Sequence, residues 1–251
     1  MNMRLGLFKT PLILAICLML GSCASKKTTQ LDPRDSLAQK EPSPLDPLNL
    51  PKMKVTGLSP DELVLEARKV EISVEGYPME EGWQGFEVAI NDQEPRRLYK
   101  SPSTFEIPVE NLRKGANLIK VYLVRAWGES LKIPEAFTAV PFFFGSKTGL
   151  SWVAPNRPIL SLVSPRGTYK GDAAKKLLFD FIVQTPDKVQ KIHKVHYTLN
   201  GKKLGLESGK SYSFYNFVPG DYELRVEVVN ARGIPLGQEV TRSRSVFKIV
   251  E

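Results

Sequence analysis

Apolar and polar residues alternate with a period of two along much of the chain beyond residue 52. Val70, Ile72 and Val74 are separated by Lys69, Glu71, Ser73 and Glu75, and Leu224, Val226 and Val228 stand between Glu223, Arg225, Glu227 and Val229. Successive side chains of a strand point to opposite faces, so this pattern predicts strands with one buried and one wet face. Phe86, Val88 and Ile90 mark another strand in the first half, and Val195, Tyr197 and Leu199 its counterpart in the second. Leu199-Asn200-Gly201-Lys202 predicts a two-residue hairpin, because Asn-Gly accepts the positive φ of a type I′ turn. Helical periodicity is absent outside the first 23 residues. Short strands with turns about every ten residues predict an all-β fold of antiparallel sandwiches.

The pattern also repeats. Ser59-Pro60 recurs as Ser164-Pro165, 105 positions on, and Gly115, Ile119, Val121, Leu123 and Gly128 recur at the same offset as Gly220, Leu224, Val226, Val228 and Gly233. Phe142 and Phe144 become Phe247 and Ile249; between these anchors the offset is 109, as Asn91 maps to Asn200 and Phe105 to Phe214. Two related domains follow, at 53–145 and 156–251, joined by a linker at 146–155. The run Pro219-Gly220-Asp221-Tyr222-Glu223-Leu224-Arg225-Val226, continuing to Gly233, resembles the F-strand region of fibronectin type III and related immunoglobulin-like domains. That resemblance implies two tandem antiparallel immunoglobulin-like β-sandwiches, with Tyr222 pinning the corner that enters strand F. The first repeat departs from it by placing Asn117 at the tyrosine position.

Residues ahead of the repeats read as an address. Arg4 and Lys9 precede the uncharged apolar run Pro11 to Leu20, which is the length of a secretory h-region and too short to span a bilayer. Leu20-Gly21-Ser22-Cys23 resembles the bacterial lipobox. The resemblance implies that residues 1–22 are a lipoprotein signal peptide and that Cys23 is lipidated, its thiol carrying diacylglycerol and its freed amine a further acyl chain such as palmitate. Two or more chains give stable anchoring. Ala24, where an Asp retains many members of that family at the inner membrane, favours the outer membrane. Residues 23–52 carry Pro33, Pro42, Pro44, Pro47 and Pro51 and predict a disordered, semi-extended tether. At ~3.3–3.6 Å per residue it reaches up to roughly 90 Å from the membrane.

Composition narrows the chemistry. With 42% hydrophobic and 25% charged residues the chain is globular in make-up rather than disordered. Its 2 cysteines fall at Cys17, in the leader, and Cys23, so no disulfide framework or thiolate zinc site is expected of the mature protein. His193 and His196 are the only imidazoles, and on an extended strand they point to opposite faces, so they cannot chelate one ion. Glu80, Glu81, Asp221 and Glu223 lack the apolar surroundings that tune a catalytic acid. Gly201, Gly205 and Gly209 open no helix and form no phosphate loop. The reading is therefore non-enzymatic, with no catalytic residue, metal or cofactor.

Binding chemistry is better represented. In an immunoglobulin-like sandwich the B–C and F–G loops cluster at one end, and here they carry Trp83 and Trp127, which can stack on sugar rings or fill a partner pocket; capping the core is the plainer alternative. Charge is uneven. Residues 52–145 hold 12 basic and 14 acidic side chains, net −2, whereas 146–251 hold 17 and 9, net +8, equal to the whole-chain value. On the second domain Lys194 and His196, Arg225, and Arg242, Arg244 and Lys248 share outward parity on three strands, with Glu223 and Glu227 interleaved. Nucleic acid is the reflex partner of such charge, but an exported lipoprotein rarely meets it; an envelope protein or anionic glycan fits better. The expectation is a binding or assembly module of the bacterial envelope, with a carbohydrate-binding module using the tryptophans as the alternative.

Overall fold

Leu37–Lys40 form the first strand, β1. The first sandwich follows, with β2 (Lys52–Thr56), β3 (Glu62–Val64), β4 (Arg68–Glu75), β5 (Gly85–Ile90), β6 (Arg96–Leu98), β7 (Ser103–Ile107), β8 (Gly115–Val124) and β9 (Phe137–Phe144). The second is built from β10 (Ile159–Ser164), β11 (Gly167–Lys170), β12 (Lys176–Gln184), β13 (Lys194–Leu199), β14 (Lys202–Glu207), β15 (Ser211–Tyr215), β16 (Gly220–Val229) and β17 (Arg242–Val250). This structure is a computed structural model that describes residues 37–40, 50–148, 158–185 and 194–251, all within one compact unit, Leu31–Glu251.

Both sandwiches have the same wiring. The first pairs a sheet ordered β2-β4-β7 with one ordered β3-β9-β8-β5-β6; in the second the corresponding orders are β10-β12-β15 and β11-β17-β16-β13-β14. Strands β3 and β11 run parallel to β9 and β17, and the remaining pairings are antiparallel. This is the immunoglobulin-like and fibronectin type III-like arrangement, twice over. The Asn-Gly hairpin is present: Leu199 pairs with Lys202, and both loop residues have positive φ, 48° and 82°.

Three apolar layers hold the molecule. The first lies inside sandwich one and includes Ile72, Phe86, Ile119, Val121 and Phe142. The second lies inside sandwich two, around Phe179, Phe181, Tyr197, Phe214 and Phe247, with the Phe179 and Phe214 rings stacked at 4.7 Å. The third was not expected. Leu118, Tyr122, Val124 and Phe137, from the outward side of β8 and the start of β9, pack against Ile159, Val163 and Ile182, from the outward side of β10 and β12, and against Val240. The two sandwiches are therefore stacked face to face as four sheets. Strands β5 and β8 lie in the second sheet and are buried at every position, whereas β16, the repeat counterpart of β8, alternates as the sequence predicts.

The tether reading is corrected at one point. Within the stretch expected to be disordered, β1 pairs antiparallel with β15, Leu37 with Phe214 through Lys40 with Ser211, and extends the second sandwich's sheet to four strands. The physical reason is edge completion: β15 ends its sheet with unpaired N–H and C=O groups, which an extended segment satisfies. Proline spacing, the basis of the expectation, is silent on distant edges.

Candidate functional site

Cys23, the leader, the linker core and His193 lie outside the described residues. The remaining candidates fall into two places. The first is the outward side of the β11-β17-β16-β13-β14 sheet. Because Leu224, Val226 and Val228 face the core, their neighbours on β16 face out, and the register aligns them with β13 and β17. Arg225 stands opposite Arg244, Glu227 opposite both Arg242 and His196, Asp221 opposite Lys248, and Lys194 opposite Glu207. Lys194, Arg225, Arg242 and Arg244 are all exposed. Arg225 Nε donates to Glu223 Oε1 at 2.5 Å and Arg244 Nε to the same oxygen at 2.8 Å. Hydrogen bonds from Arg225 and then Arg244 hold the Glu223 carboxyl below the usual carboxylate range. With Lys170 and Lys203 the sheet presents seven basic groups against Glu207, Asp221, Glu223 and Glu227, so it stays positive after internal pairing.

His196 sits in this face between two glycines. A Cβ at Gly205 or at Gly233 would lie 3.6 Å from its ring carbons, an ordinary van der Waals contact, so space beside the ring does not require glycine; at Gly233 the positive φ of 76° does favour it. Burial, then Lys203, push its pKa down against an upward pull from Glu227. Among the described residues its Nδ1 has no hydrogen-bond partner.

Trp127 marks the second place. It occupies the F–G turn Arg125 to Glu129, closed by Arg125 N to Glu129 O at 2.8 Å and Gly128 N to Arg125 O at 2.9 Å. The same turn recurs at Asn230 to Ile234, with Arg232 at the tryptophan position. Trp127 does not cap the core: it is 53% exposed, its indole N–H donates to Glu129 Oε2 at 2.7 Å, and the Arg125 guanidinium lies 5.6 Å from its ring centroid. It flanks a cleft of about 490 Å³ between the sandwiches, with Glu87, Arg97, Arg166, Tyr169 and Lys176 on its walls. Arg97 is held by Glu87, Nη2 to Oε1 at 2.6 Å, and Arg166 by the Leu162 carbonyl. Trp83 is also exposed, at 46%, but does not line that cleft. The structure thus leaves both tryptophans open and brings only one to a cavity.

Sequence reading missed the polar lock between the sandwiches. Asp180 is fully buried and accepts from Ser130 N and Ser130 Oγ, both at 2.7 Å, and from the Lys132 ammonium, which also donates to Phe181 O at 2.7 Å. Ser211 Oγ lies 3.0 Å from both Asp180 Oδ1 and Glu129 Oε1. Its signal was an acid alone within the apolar run Leu177 to Val183. The lock joins the two sandwiches and reaches β15, the strand that β1 covers. Among the described residues, no group of three or more His, Cys, Asp or Glu could hold a metal ion, and no helix is long and apolar enough to cross a membrane.

The wiring and core define the class of protein: tandem immunoglobulin-like and fibronectin type III-like sandwiches. No family model and no curated protein matches the chain. Among solved structures it is similar to the fibronectin(III)-like modules of Clostridium thermocellum CbhA, at 16% identity over 78% of this chain and 92% of that one, with a TM-score of 0.29. It is also similar to three N-terminal domains of the bacteriophage RB49 highly immunogenic outer capsid protein, at 10% identity over 80% and 59%, TM-score 0.26. A third is the extracellular domain assigned to a hybrid two component system of B. thetaiotaomicron, at 13% over 78% and 32%, TM-score 0.30. At these scores the strand order of the chain itself carries the fold.

Proposed function

We propose that this chain is a lipid-anchored, non-enzymatic module of the bacterial cell envelope, exported under its leader, held at the outer membrane through Cys23, and binding an anionic envelope partner on the basic outer face of its second sandwich. One observation carries the reading. The equivalent face of the first sandwich is apolar and used up in packing on the second, whereas the face of the second ends the stack, open and basic. Long-range attraction between such a face and a polyanion falls with ionic strength, over a Debye length of ~10 Å at 0.1 M salt. Retention of the mature chain on immobilised polygalacturonate is expected at low salt and lost at high salt. Arg242→Glu with Arg244→Glu is expected to cut it at least severalfold. Retention indifferent to both salt and charge reversal would overturn the assignment.

The exposure of Trp127 beside a cleft favours a second reading, a carbohydrate-binding module. An aromatic ring with polar groups converging beside it suits a sugar. On a glycan array Trp127→Ala is expected to abolish binding and Trp83→Ala to leave it in place; identical binding by wild type and Trp127→Ala would remove this reading.

A further inference from the structure

We infer that β1 straps the anchored N-terminal segment to the second sandwich and thereby lays its basic outer sheet against the anionic phospholipid headgroups of the bilayer that holds Cys23. This deepens the proposal above and rests on its lipid anchor. In sequence order the first sandwich follows the tether and would stand nearer the membrane. The pairing of Leu37–Lys40 with Ser211–Tyr215 reverses that order, because it fixes the chain to an edge of the second sandwich before the first begins.

Chain reach sets the distances. From Cys23 to Leu37 there are 14 residue steps, which span at most ~50 Å at ~3.3–3.6 Å each. From Cys23 to Lys52 there are 29, about twice as many. Strand β15 belongs to the third sheet of the stack, one sheet spacing of ~10 Å below the basic surface. The outward side of the first sandwich's β2-β4-β7 sheet lies at the other end of the four. The strap therefore leaves the molecule close to the basic face.

Charge selects the same face. On the β2-β4-β7 side the outward residues balance, Lys52, Lys54 and Lys69 against Glu71, Glu75 and Glu106. On the other side the seven basic groups, Arg225, Arg242, Arg244 and four lysines, outnumber Glu207, Asp221, Glu223 and Glu227, and basic groups within a Debye length of an anionic leaflet are drawn to it.

The test uses the acylated mature chain in phosphatidylcholine vesicles with or without phosphatidylglycerol. Single fluorophores are placed at Val246→Cys, on the basic face, and at Thr104→Cys, on the far side of the first sandwich, and are read against a quencher carried on the headgroups. Both positions are exposed. Quenching at Val246→Cys is expected to exceed that at Thr104→Cys severalfold, only with phosphatidylglycerol present. The excess is expected to vanish with Arg242→Glu plus Arg244→Glu. It is also expected to vanish with Ala38→Pro plus Gln39→Pro, since proline has no N–H for the strand ladder and neighbouring residues donate to opposite sides. Equal quenching at the two sites in the wild type, or the same excess in vesicles without phosphatidylglycerol, overturns the inference. The mass of the N-terminal peptide reads the anchor separately: an acylated chain with equal quenching sinks the apposition alone, and a chain without acyl groups sinks both.

Discussion

Asp180 has no exposed surface and three hydrogen-bonding residues around it, Ser130, Lys132 and Ser211, two of them on the other sandwich. Removing one partner of a buried, hydrogen-bonded charge pair leaves the other uncompensated, at a cost of ~3–5 kcal/mol. Asp180→Ala is expected to lose about that much stability in urea unfolding, and Asp180→Asn less, because the amide keeps an acceptor for Ser130 or Lys132. An Asp180→Ala protein as stable as wild type would mean that the lock contributes nothing. His196 makes a pH prediction. Its folded pKa lies below the ordinary histidine value, so the unfolded chain takes up the proton first as pH falls. Stability is therefore unaffected above about pH 6.5 and declines below it until the folded value is passed. His196→Gln is expected to flatten that decline, which urea midpoints measured across the window will show; an unchanged slope assigns it to other groups.

Among the elements, the two F strands show how one repeat was edited. Tyr222 donates its hydroxyl to the Val218 carbonyl, four residues back, at 2.8 Å. Asn117, 105 positions earlier, donates Nδ2 to Arg113 O, also four residues back, at 2.7 Å, and its Oδ1 accepts from Arg113 N and Asn91 Nδ2, both at 3.0 Å. The corner that the sequence assigned to tyrosine is thus made in the first repeat by a buried amide. Asn117→Ala orphans several buried groups and is expected to cost ~3 kcal/mol, whereas Tyr222→Phe gives up a single bond and ~1 kcal/mol; equal losses in denaturant melts would contradict this account. The strands themselves were legible because their inward residues follow a period of two. What lies outward was half legible. The outward residues of β16 are Asp221, Glu223, Arg225, Glu227 and Val229, but those of β8 are Ala116, Leu118, Lys120, Tyr122 and Val124, too apolar for water. That contrast was in the sequence, and it announces a covered face without saying what covers it. Lys120 shows the consequence: its burial lowers the ammonium pKa, with Asp92 at 3.4 Å pulling back.

For the whole molecule, the apolar layer and the polar lock between the sandwiches predict joint unfolding. Related tandem modules with small polar interfaces move and melt independently, but here Phe137 and Tyr122 are buried between the halves. Calorimetry is expected to give one transition, with hydrogen exchange in β4 and β16 lost together. Phe137→Ala is expected to cost ~3–5 kcal/mol, the usual penalty for a cavity of that size, and to separate the two sandwiches into distinct transitions. Two well-spaced transitions in the wild type would refute the coupling. Local patterning determined the strands, the hairpin, the duplication, the inward residues of both cores and the basic parity of the second sandwich, because each depends on a few neighbouring positions and a fixed period. Only the tertiary structure decided that the sandwiches stack as four sheets, that Asp180 locks them, that β1 crosses to β15, and that Trp127 stands open at a cleft. Those features join residues far apart in the chain, and the edge or face that receives each of them leaves no periodic mark on the residues that fill it.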